Sequence, residues 1–408
     1  MFEGRYTLWG GEHSFFTRKL QAMLNYLDLS YEFRLKSTDA GPGVEARLGT
    51  HFIPGLETPE GWFVHDTTPI GLMLNAKYPD RPILPSTPVQ RIAAHLLEDW
   101  ADEWFGRYAI SSRWCYPDNI AHVAKGFYAN QKGKFIAEGL TPEEEAEAAK
   151  QIIAVRDNFG LRACENRGCG PDQAAAVRKD FESLMRHAAE HYRQYAFLLG
   201  SRASLGDFCF AGLFEAHIAS DPEPRSWIEA SAPQMIYVMA RVFEAKTDSS
   251  DYLANDQLPE TLAPFFEHMR DTYHRFLKVS RETLAAGEKW CEVDLGDGPV
   301  RMHSLKYSEV SRKHIRQEIL SLSTQDRRAV DEVLGPLGVL EAYLLPDAPA
   351  KNDCSGSEAW LLRLSSEWFA PRQSNLREVA SCTAAGICGS DPPQQTNPHL
   401  DRKALCRE

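Results

Sequence analysis

The serine at position 14 is placed to do chemistry, because a hydroxyl at a helix start lies at the positive end of the helix dipole. Ser14 follows a run that reads as a strand, and a helical pattern begins directly after it. Such a hydroxyl can donate to an anion, for example a thiolate, and the helix N-terminus adds to that stabilisation. A structural role as helix cap is the alternative. Thr17 and Tyr6 are the second and third candidates.

A second polar pair precedes another predicted helix. Asp66 and Thr67 follow the apolar run 62–65, and Pro69 fits the first helical position, which makes Thr68 or Thr67 the predicted cap. A helix N-terminus of this kind can bind a carboxylate through its free N–H groups. An ordinary helix cap is again the alternative.

The elements around these residues can be read from the local pattern. A first predicted strand, 5–9, and a second, 31–34, flank a run with apolar residues at helical spacing. The turn Thr58-Pro59-Glu60-Gly61 predicts a hairpin whose second strand is 62–65. The N-terminal part is therefore predicted to be a βαβ unit followed by a hairpin and a helix.

A proline-rich linker, 78–85, separates this unit from a helical region. The next helix starts at Thr87-Pro88 and carries an apolar stripe. Four acidic residues of this helix are expected to face away from the stripe: Glu98, Asp99, Asp102 and Glu103. The segments 142–158 and 171–199 are also predicted helices.

The segment 198–208 contains a helix-capping pattern. Ser204 and Asp207 have the spacing of a capping box, and Ala203 and Phe208 occupy the hydrophobic-staple positions. An apolar helix follows, so the motif is structural, and its removal should cost about 1 kcal/mol.

These features resemble the cytosolic glutathione S-transferases (GSTs) over residues 1–245. The Ser14 helix, Ile53-Pro54, the hairpin and Asp66-Thr67 resemble the glutathione-binding half, and the capping box resembles that of the helical half. The resemblance implies an α/β plus all-α fold, in which a thioredoxin-like N-terminal domain is followed by a GST-like helical domain with a helical extension.

The resemblance and the composition divide the chain into five expected parts: a thioredoxin-like glutathione-binding domain (1–80), a linker (81–88), a GST-like all-helical domain (89–245), a helical extension (246–345) and a largely disordered tail (346–408). In the extension, helices are predicted over 258–284, 307–322 and 324–337, with a hairpin turn at Gly296-Asp297-Gly298. The tail is expected to contain one short helix at 357–369.

The resemblance also implies roles for the polar residues. Ser14 corresponds to the catalytic serine of Ser-type GSTs, and Phe15 beside it is counted among the residues that bind glutathione. Ile53-Pro54 corresponds to a cis-proline, where the backbone of Ile53 meets the cysteinyl part of glutathione. Asp66-Thr67 corresponds to the pair that receives the γ-glutamyl group, with Asp66 facing its ammonium; the family more often has serine in place of Thr67.

Other parts of the implied site are less specific. The basic candidates for the glycyl carboxylate are Lys36, Arg47 and His51, of which His51 is nearest to Ile53-Pro54 along the chain. The aromatic candidates for a second-substrate pocket between the domains are Trp9, Phe15, Trp104, Tyr108 and Trp114, although aromatic residues at helical spacing are more often core. The insertion-like stretch 116–170 is a candidate lid.

The implied function is a glutathione transferase-like enzyme that activates the thiol of glutathione for attack on a small hydrophobic electrophile, as in detoxification. The enzymatic alternatives are a glutathione-dependent isomerase, an ether-cleaving enzyme or a dehalogenase. A non-catalytic GST-like binding or assembly module is the alternative from another class. GSTs commonly form homodimers, so a homodimer is also implied.

The composition narrows the class of protein. The chain has 408 residues, 43% of them hydrophobic, and a net charge of −12, which argues against nucleic acid as the main partner. No apolar run is long enough for a transmembrane helix, and the N-terminus lacks the build of a signal peptide. Nine scattered cysteines do not form a disulfide framework. We therefore expect a cytoplasmic protein without a membrane partner.

Two patterns with metal-ligating residue types have structural interpretations. His187 and His191 have the spacing of an inverted zinc-peptidase motif, but no downstream acidic ligand stands out, and a solvated helix face is the better interpretation. The cysteine pairs 164/169 and 382/388 lack the spacing of a zinc ribbon and are interpreted as incidental. No metal site is expected.

Overall fold

Four strands of the N-terminal region form one mixed sheet in the computed structural model, which describes residues 4–296 and 298–347. The strands are β1 (Tyr6–Gly10), β2 (Tyr31–Leu35), β3 (Gly55–Glu57) and β4 (Phe63–His65), in the order β2-β1-β3-β4. β1 pairs with β2 in parallel, whereas β3 is antiparallel to both β1 and β4. The expected thioredoxin-like fold of this region is confirmed.

Three helices accompany this sheet: α1 (Phe15–Tyr26), α2 (Gly41–Leu48) and α3 (Thr67–Lys77). Leu20, Met23 and Leu24 of α1 are fully buried, as their helical spacing predicts, whereas Phe16 is partly buried. The predicted cap of α3 at Thr67 or Thr68 is wrong. Asp66 is the N-cap, because its carboxylate accepts a hydrogen bond from the backbone N–H of Thr68 (3.4 Å) and the helix begins at the next residue, Thr67.

The second region is helical. Its helices are α4 (Pro88–Trp104), α5 (Gly106–Trp114), α6 (Pro117–Gln131), α7 (Pro142–Val155), α8 (Leu161–Asn166), α9 (Ala174–Gln194), α10 (Leu205–Leu213), α11 (Pro222–Ser231) and α12 (Gln234–Glu244). Shorter turns of this region are the π-helical segments Arg156–Gly160 and Phe214–Ile218 and the 3-10 segments Ile136–Glu138 and Pro171–Gln173; the 3-10 segments Ala254–Asp256 and Glu260–Leu262 belong to the extension. The whole of α10 is buried, and it packs against both α1 and α4.

The capping box at the start of α10 is confirmed. The Asp207 carboxylate accepts from the backbone N–H of Ser204 and from the N–H of Leu198, each at 2.8 Å. It also accepts from the hydroxyl of Tyr192 at 3.1 Å. Asp207 therefore holds the start of α10 and the loop before it together.

The extension contains α13 (Ala263–Asp271), α14 (Tyr273–Ala285), α15 (Lys306–Leu320), α16 (Thr324–Leu334), α17 (Glu341–Leu344), and the strands β5 (Trp290–Asp294) and β6 (Pro299–His303). β5 and β6 pair antiparallel, with Asp294 opposite Pro299, which confirms the predicted hairpin; residue 297 of its predicted turn lies outside the described residues. The described residues form one compact unit, within which the domain boundaries stay predictions. The predicted helix 357–369 and all but residues 346 and 347 of the predicted tail lie outside the described residues.

The four acidic residues of α4, which were expected to face away from the apolar stripe, are not exposed to solvent. Glu98, Asp99, Asp102 and Glu103 are all buried. The extension covers two of them: the Ser308 hydroxyl donates to Glu103 at 2.6 Å, and the Tyr343 hydroxyl donates to Asp99 at 2.7 Å. The polar face of α4 is therefore a contact surface for the extension.

Within the described residues, no helix combines the length and the apolar character that a membrane crossing requires.

Candidate functional site

The register of the sheet brings the ends of several strands together at one edge. Trp9 pairs with Gly55, and Gly55 pairs with His65, so the end of β1, the start of β3 and the end of β4 are neighbours. The end of β2 lies there too, because the backbone N–H of Lys36 donates to the carbonyl of Gly10 (2.8 Å). This edge carries the segments that lead into α1 and α3.

Ser14 is the N-cap of α1 and is half-buried. Its hydroxyl oxygen accepts from the backbone N–H of Thr17 at 3.2 Å, which leaves its hydroxyl proton available for donation. The predicted capping role is thus present, and it is compatible with donation to an anion in front of the helix.

The two alternatives to Ser14 are poorly placed for that donation. Thr17 is fully buried, and its hydroxyl lies against Gly10 and accepts from the N–H of Gly11 (3.3 Å). Tyr6 lies at the opposite end of β1, on the order of 10 Å from the edge at 3.3 Å per residue. Its hydroxyl is bonded to that of Tyr78 (2.9 Å).

The Ile53-Pro54 peptide bond is cis, as the resemblance implies. Ile53 precedes β3 and is half-buried, and its side chain borders Gly11 of the loop before α1. Phe15, by contrast, is buried and stacks on Phe16 with ring centres 4.8 Å apart. Its side chain belongs to the core.

Asp66 has an unusual backbone conformation at the start of α3, with φ of 73°. Residues other than glycine seldom adopt a positive φ, and such strained backbone conformations cluster at functional sites. Thr67 beside it is buried. The hydroxyl of Tyr307, the second residue of α15, hydrogen-bonds to the Asp66 carboxylate; burial and this anion raise the pKa of the phenol. Nothing local in the sequence predicts that contact between residues 66 and 307.

The three basic candidates separate into two groups. The Lys36 ammonium donates to the carbonyl of His51, and it also pairs with Glu45 at 2.6 Å. His51 is exposed just before Ile53, so Lys36 and His51 lie together at the edge. Arg47 instead donates to the carbonyl of Gly61 in the hairpin turn.

The loop before α1 is held by the stretch 116–170. The Asn130 side chain accepts from the N–H of Glu12 (2.8 Å) and donates to the Glu12 carboxylate (3.0 Å). His13 packs against Gly126, where even a single methyl group would collide with its ring. Burial and the nearby Arg113 lower the pKa of His13 well below its usual range. The predicted lid stretch thus forms part of the wall beside Ser14.

Most aromatic candidates for a second-substrate pocket are core residues. Trp104, Tyr108 and Trp114 are each at most 2% exposed. Trp9 is half-buried on β1. The helical spacing of these aromatic residues therefore reflects packing in the core, which is the more frequent role of such a pattern.

The histidine pair 187/191 is not arranged for a metal. His191 is buried, so the expected solvated face is wrong for this residue. Its two ring nitrogens contact the Thr261 hydroxyl (2.8 Å) and the Phe197 carbonyl (3.2 Å).

A second cluster of residues that could bind a metal contains a lysine ammonium instead. Ligand atoms of Glu98, Asp102 and Cys209 lie within 4.8 Å of one another. The Lys19 ammonium lies 2.6 Å from both carboxylates. Burial alone would lower the pKa of Lys19, but these neighbours raise it well above the usual value, so the lysine is the cation of this cluster.

No protein-family model and no curated protein match the sequence. Similar solved structures include a glutathione S-transferase from Rhodospirillum rubrum F11, with 17% identity, 62% of this chain and 96% of that chain covered, and a TM-score of 0.38. A glutathione S-transferase of Ceriporiopsis subvermispora in complex with glutathione has 14% identity, 60% and 99% coverage and a TM-score of 0.40. The β-etherase LigF from Sphingobium sp. strain SYK-6 has 17% identity, 58% and 98% coverage and a TM-score of 0.35.

These identities and TM-scores are too low to support conclusions about activity. The fold class follows from the strand order and helix order described above: a thioredoxin-like sheet domain followed by a helical domain, which is the fold of the cytosolic glutathione S-transferases.

Proposed function

We propose that this chain is a glutathione transferase-like enzyme in which Ser14 activates the thiol of glutathione for attack on a small hydrophobic electrophile. One observation carries the proposal: the N-termini of α1 and α3, Ile53 and the Lys36–His51 pair lie at the same edge of one sheet. Two helix N-termini and a basic pair suit a tripeptide with two carboxylates and a thiol.

Each part of glutathione has a partner of matching chemistry in this proposal. The γ-glutamyl carboxylate meets the N-terminus of α3 at Thr67, and its ammonium meets Asp66. The backbone of Ile53, beside Pro54, pairs with the cysteinyl part, and the Ser14 hydroxyl donates to the sulfur.

The glycyl carboxylate is assigned to His51 together with Lys36. The two residues already share a hydrogen bond at the edge, whereas Arg47 is directed to the hairpin. A carboxylate there would compete with Glu45 for the ammonium of Lys36.

Binding is tested by thermal unfolding with glutathione and with cysteinylglycine, which lacks the γ-glutamyl group. Glutathione at about a hundred times its dissociation constant should add roughly 2.7 kcal/mol to the stability of the folded state. Cysteinylglycine at the same concentration should add much less. Equal shifts with both ligands, or none with either, would contradict the proposed site.

The reaction type is tested with halide, epoxide and enone substrates and mass analysis of the products. Transfer leaves a stable glutathione conjugate. Isomerisation returns free glutathione, whereas ether cleavage and dehalogenation consume it and release an alcohol or a halide. A return of all glutathione from every substrate would replace transfer with isomerisation.

A non-catalytic binding or assembly module is the second candidate, and the contacts of two acidic residues favour it. Asp66 already has a partner in Tyr307, and Glu12 in the loop before Ser14 is held by Asn130. A module predicts no thermal shift at millimolar glutathione, either in the parent or in Tyr307→Phe. The enzyme predicts a shift in both, at least as large in Tyr307→Phe, because that variant frees the Asp66 carboxylate.

A further inference from the structure

Three cysteines from separate parts of the sequence form one cluster away from the candidate site. Cys115 is the C-cap of α5, Cys164 lies in α8, and Cys169 follows α8 in the next turn. The Cys164 sulfur is in hydrogen-bonding contact with the sulfurs of Cys115 and Cys169, and its thiol also donates to the carbonyl of Ile110 at 3.3 Å. The Cys115 thiol also donates to the carbonyl oxygen of Cys169 at 3.5 Å, and the Cys169 thiol donates to the carbonyl oxygen of Cys164 at 3.4 Å. Cys164 and Cys169, whose spacing does not fit a zinc site, therefore belong to a cluster that Cys115 completes.

The three thiols differ in exposure. Cys164 and Cys169 are fully buried, whereas Cys115 is partly exposed. Cys115 is therefore the cysteine of the cluster that is nearest to solvent, and it is the one from which a reaction with a dissolved reagent would start.

The surroundings of Cys115 favour its thiolate. The hydrogen bond from Cys164 lowers the pKa of Cys115, against the opposing effect of burial, with further help from Ser111 and Arg156. The Ser111 hydroxyl is buried and has no nitrogen or oxygen partner, so it is available to the sulfur. The same contact raises the pKa of Cys164, which stays a thiol.

The backbone around the cluster is held in place. Arg156 opens the π-helical turn before α8 and donates to the carbonyl of Trp114, next to Cys115 (3.2 Å). Arg107 donates to the carbonyls of Arg167 (3.1 Å) and Gly168 (2.9 Å), in the turn between the two buried cysteines. π-helical turns of this kind are frequent at functional sites.

We propose that Cys115 is a thiol-modification site for low-molecular-weight disulfides, and that Cys164 is its resolving thiol. The Cys115 thiolate attacks one sulfur of a disulfide RSSR, which forms Cys115–S–S–R and releases RS⁻. Formation of the mixed disulfide removes the thiolate to which Cys164 is hydrogen-bonded. The Cys164 thiol gives its proton to the released RS⁻, which becomes RSH. The Cys164 sulfur then attacks the Cys115 sulfur, and the second RS⁻ leaves. Two cysteine thiols are oxidised and one RSSR is reduced to two thiols.

The geometry favours this redox chemistry over metal binding. No group of three sulfurs among the described residues has its atoms within 4.8 Å of one another, so a single ion would not find all three thiols in place. Sequential pair contacts, from Cys115 to Cys164, are what disulfide formation requires. The proposal rests on these thiols alone and does not depend on the proposed transferase function.

The test uses full-length protein in which the C-terminal cysteines 354, 382, 388 and 406 are replaced by serine, which limits side reactions. Glutathione disulfide is added in the absence of oxygen, free thiols are then blocked by alkylation, and peptides are mapped by mass spectrometry. We expect a Cys115–Cys164 disulfide and the loss of two free thiols per chain. Hydrogen peroxide is a separate arm: a cross-link with peroxide only would overturn the assignment to disulfides.

Variants identify the role of each sulfur. Cys164→Ser should stop at a stable glutathione adduct on Cys115, and Cys115→Ser should leave Cys164 and Cys169 unmodified. Cys291→Ser, which removes a buried thiol outside the cluster, should react like the parent. A Cys164–Cys169 disulfide with Cys115 free, or unchanged oxidation in Cys115→Ser, would overturn the proposal.

A measurement on the parent keeps the test independent of how well the variants fold. With iodoacetamide at neutral pH, Cys115 should be alkylated at least tenfold faster than Cys164 or Cys169. Equal rates for the three thiols would contradict the proposed order of attack.

Discussion

At the scale of single residues, the hydroxyl of Ser14 has two separable roles. It accepts from the N–H of Thr17 as a helix cap, and its own proton is available to a bound sulfur. A cap contributes to stability, whereas a donor to the thiolate changes the acidity of the ligand.

The variant Ser14→Ala separates these roles. Loss of one charge-assisted hydrogen bond, worth about 1.5–3 kcal/mol, should raise the pKa of bound glutathione by roughly one to two pH units. Turnover at neutral pH should then fall by about ten- to a hundredfold. Thiolate absorbance measured against pH is the readout, and Ser14→Thr, which keeps a hydroxyl, is the control. An unchanged titration midpoint, with only about 1 kcal/mol of stability lost, would leave Ser14 as a cap alone.

A second prediction at this scale concerns the glycyl carboxylate. Lys36→Met removes the ammonium at the edge and should weaken glutathione binding about tenfold, the effect of roughly 1.4 kcal/mol. Arg47→Met is the matched control, because Arg47 is also basic and near in sequence but points to the hairpin. Calorimetric titration of both variants measures the difference. Equal losses in the two variants would argue against the Lys36–His51 assignment.

At the scale of elements, the contact between α4 and the extension depends on a buried carboxyl group. Asp99 accepts hydrogen bonds from Ser311 and Tyr343, and burial together with Glu103 raises the pKa of Asp99 to about 7. The folded state therefore binds this proton more tightly than the unfolded chain does. Its contribution to stability is full below about pH 4 and is lost as the pH rises to about 7.

Asp99→Asn should remove this pH dependence. Between pH 4 and 7, the parent should lose about 2–4 kcal/mol of unfolding free energy relative to the variant. Contributions from His95 and other groups are common to both proteins and cancel in the difference. Urea unfolding across this pH range gives the two curves, with Asp118→Asn on the exposed start of α6 as control. Parallel curves for parent and Asp99→Asn would show that Asp99 is ionised at all these pH values.

At the scale of the whole molecule, two large apolar side chains of the N-terminal domain are exposed. Phe52 is 69% exposed and Trp62 is 61% exposed. A homodimer, as the resemblance to GSTs implies, would provide a surface to cover them. This interpretation can be tested by mass alone.

Light scattering at micromolar concentration should give about twice the chain mass of 46.0 kDa. Phe52→Asp should return the mass to that of one chain, because burying an unpaired carboxylate in an interface is costly. Phe159→Asp is the control, since Phe159 is similarly exposed (62%) but lies on the turn before α8. A single-chain mass for the parent would exclude the proposed dimer under these conditions.

Patterns that depend on neighbours in sequence could be predicted. The apolar spacing of α1, the turn between β3 and β4, and the capping box at Ser204 all involve residues a few positions apart. The energies that form them, such as helix periodicity and a cap, act within one or two turns of the chain. Even here the start of α3 was misplaced, because the backbone of Asp66 adopts a conformation that propensities disfavour.

Contacts between distant segments were decided by the tertiary structure alone. The burial of Asp99 depends on Tyr343, more than two hundred positions away in the sequence. The contact between Asp66 and Tyr307 joins residues that are similarly far apart. The cluster of Cys115, Cys164 and Cys169 likewise requires α5 and α8 to pack together. The local sequence determines which residues favour contact with water and which can pack against a neighbour one helical turn away. Which distant surface removes that water depends on the packing of the whole chain. This is why local spacing could indicate candidate residues at helix starts but could not reveal what covers them.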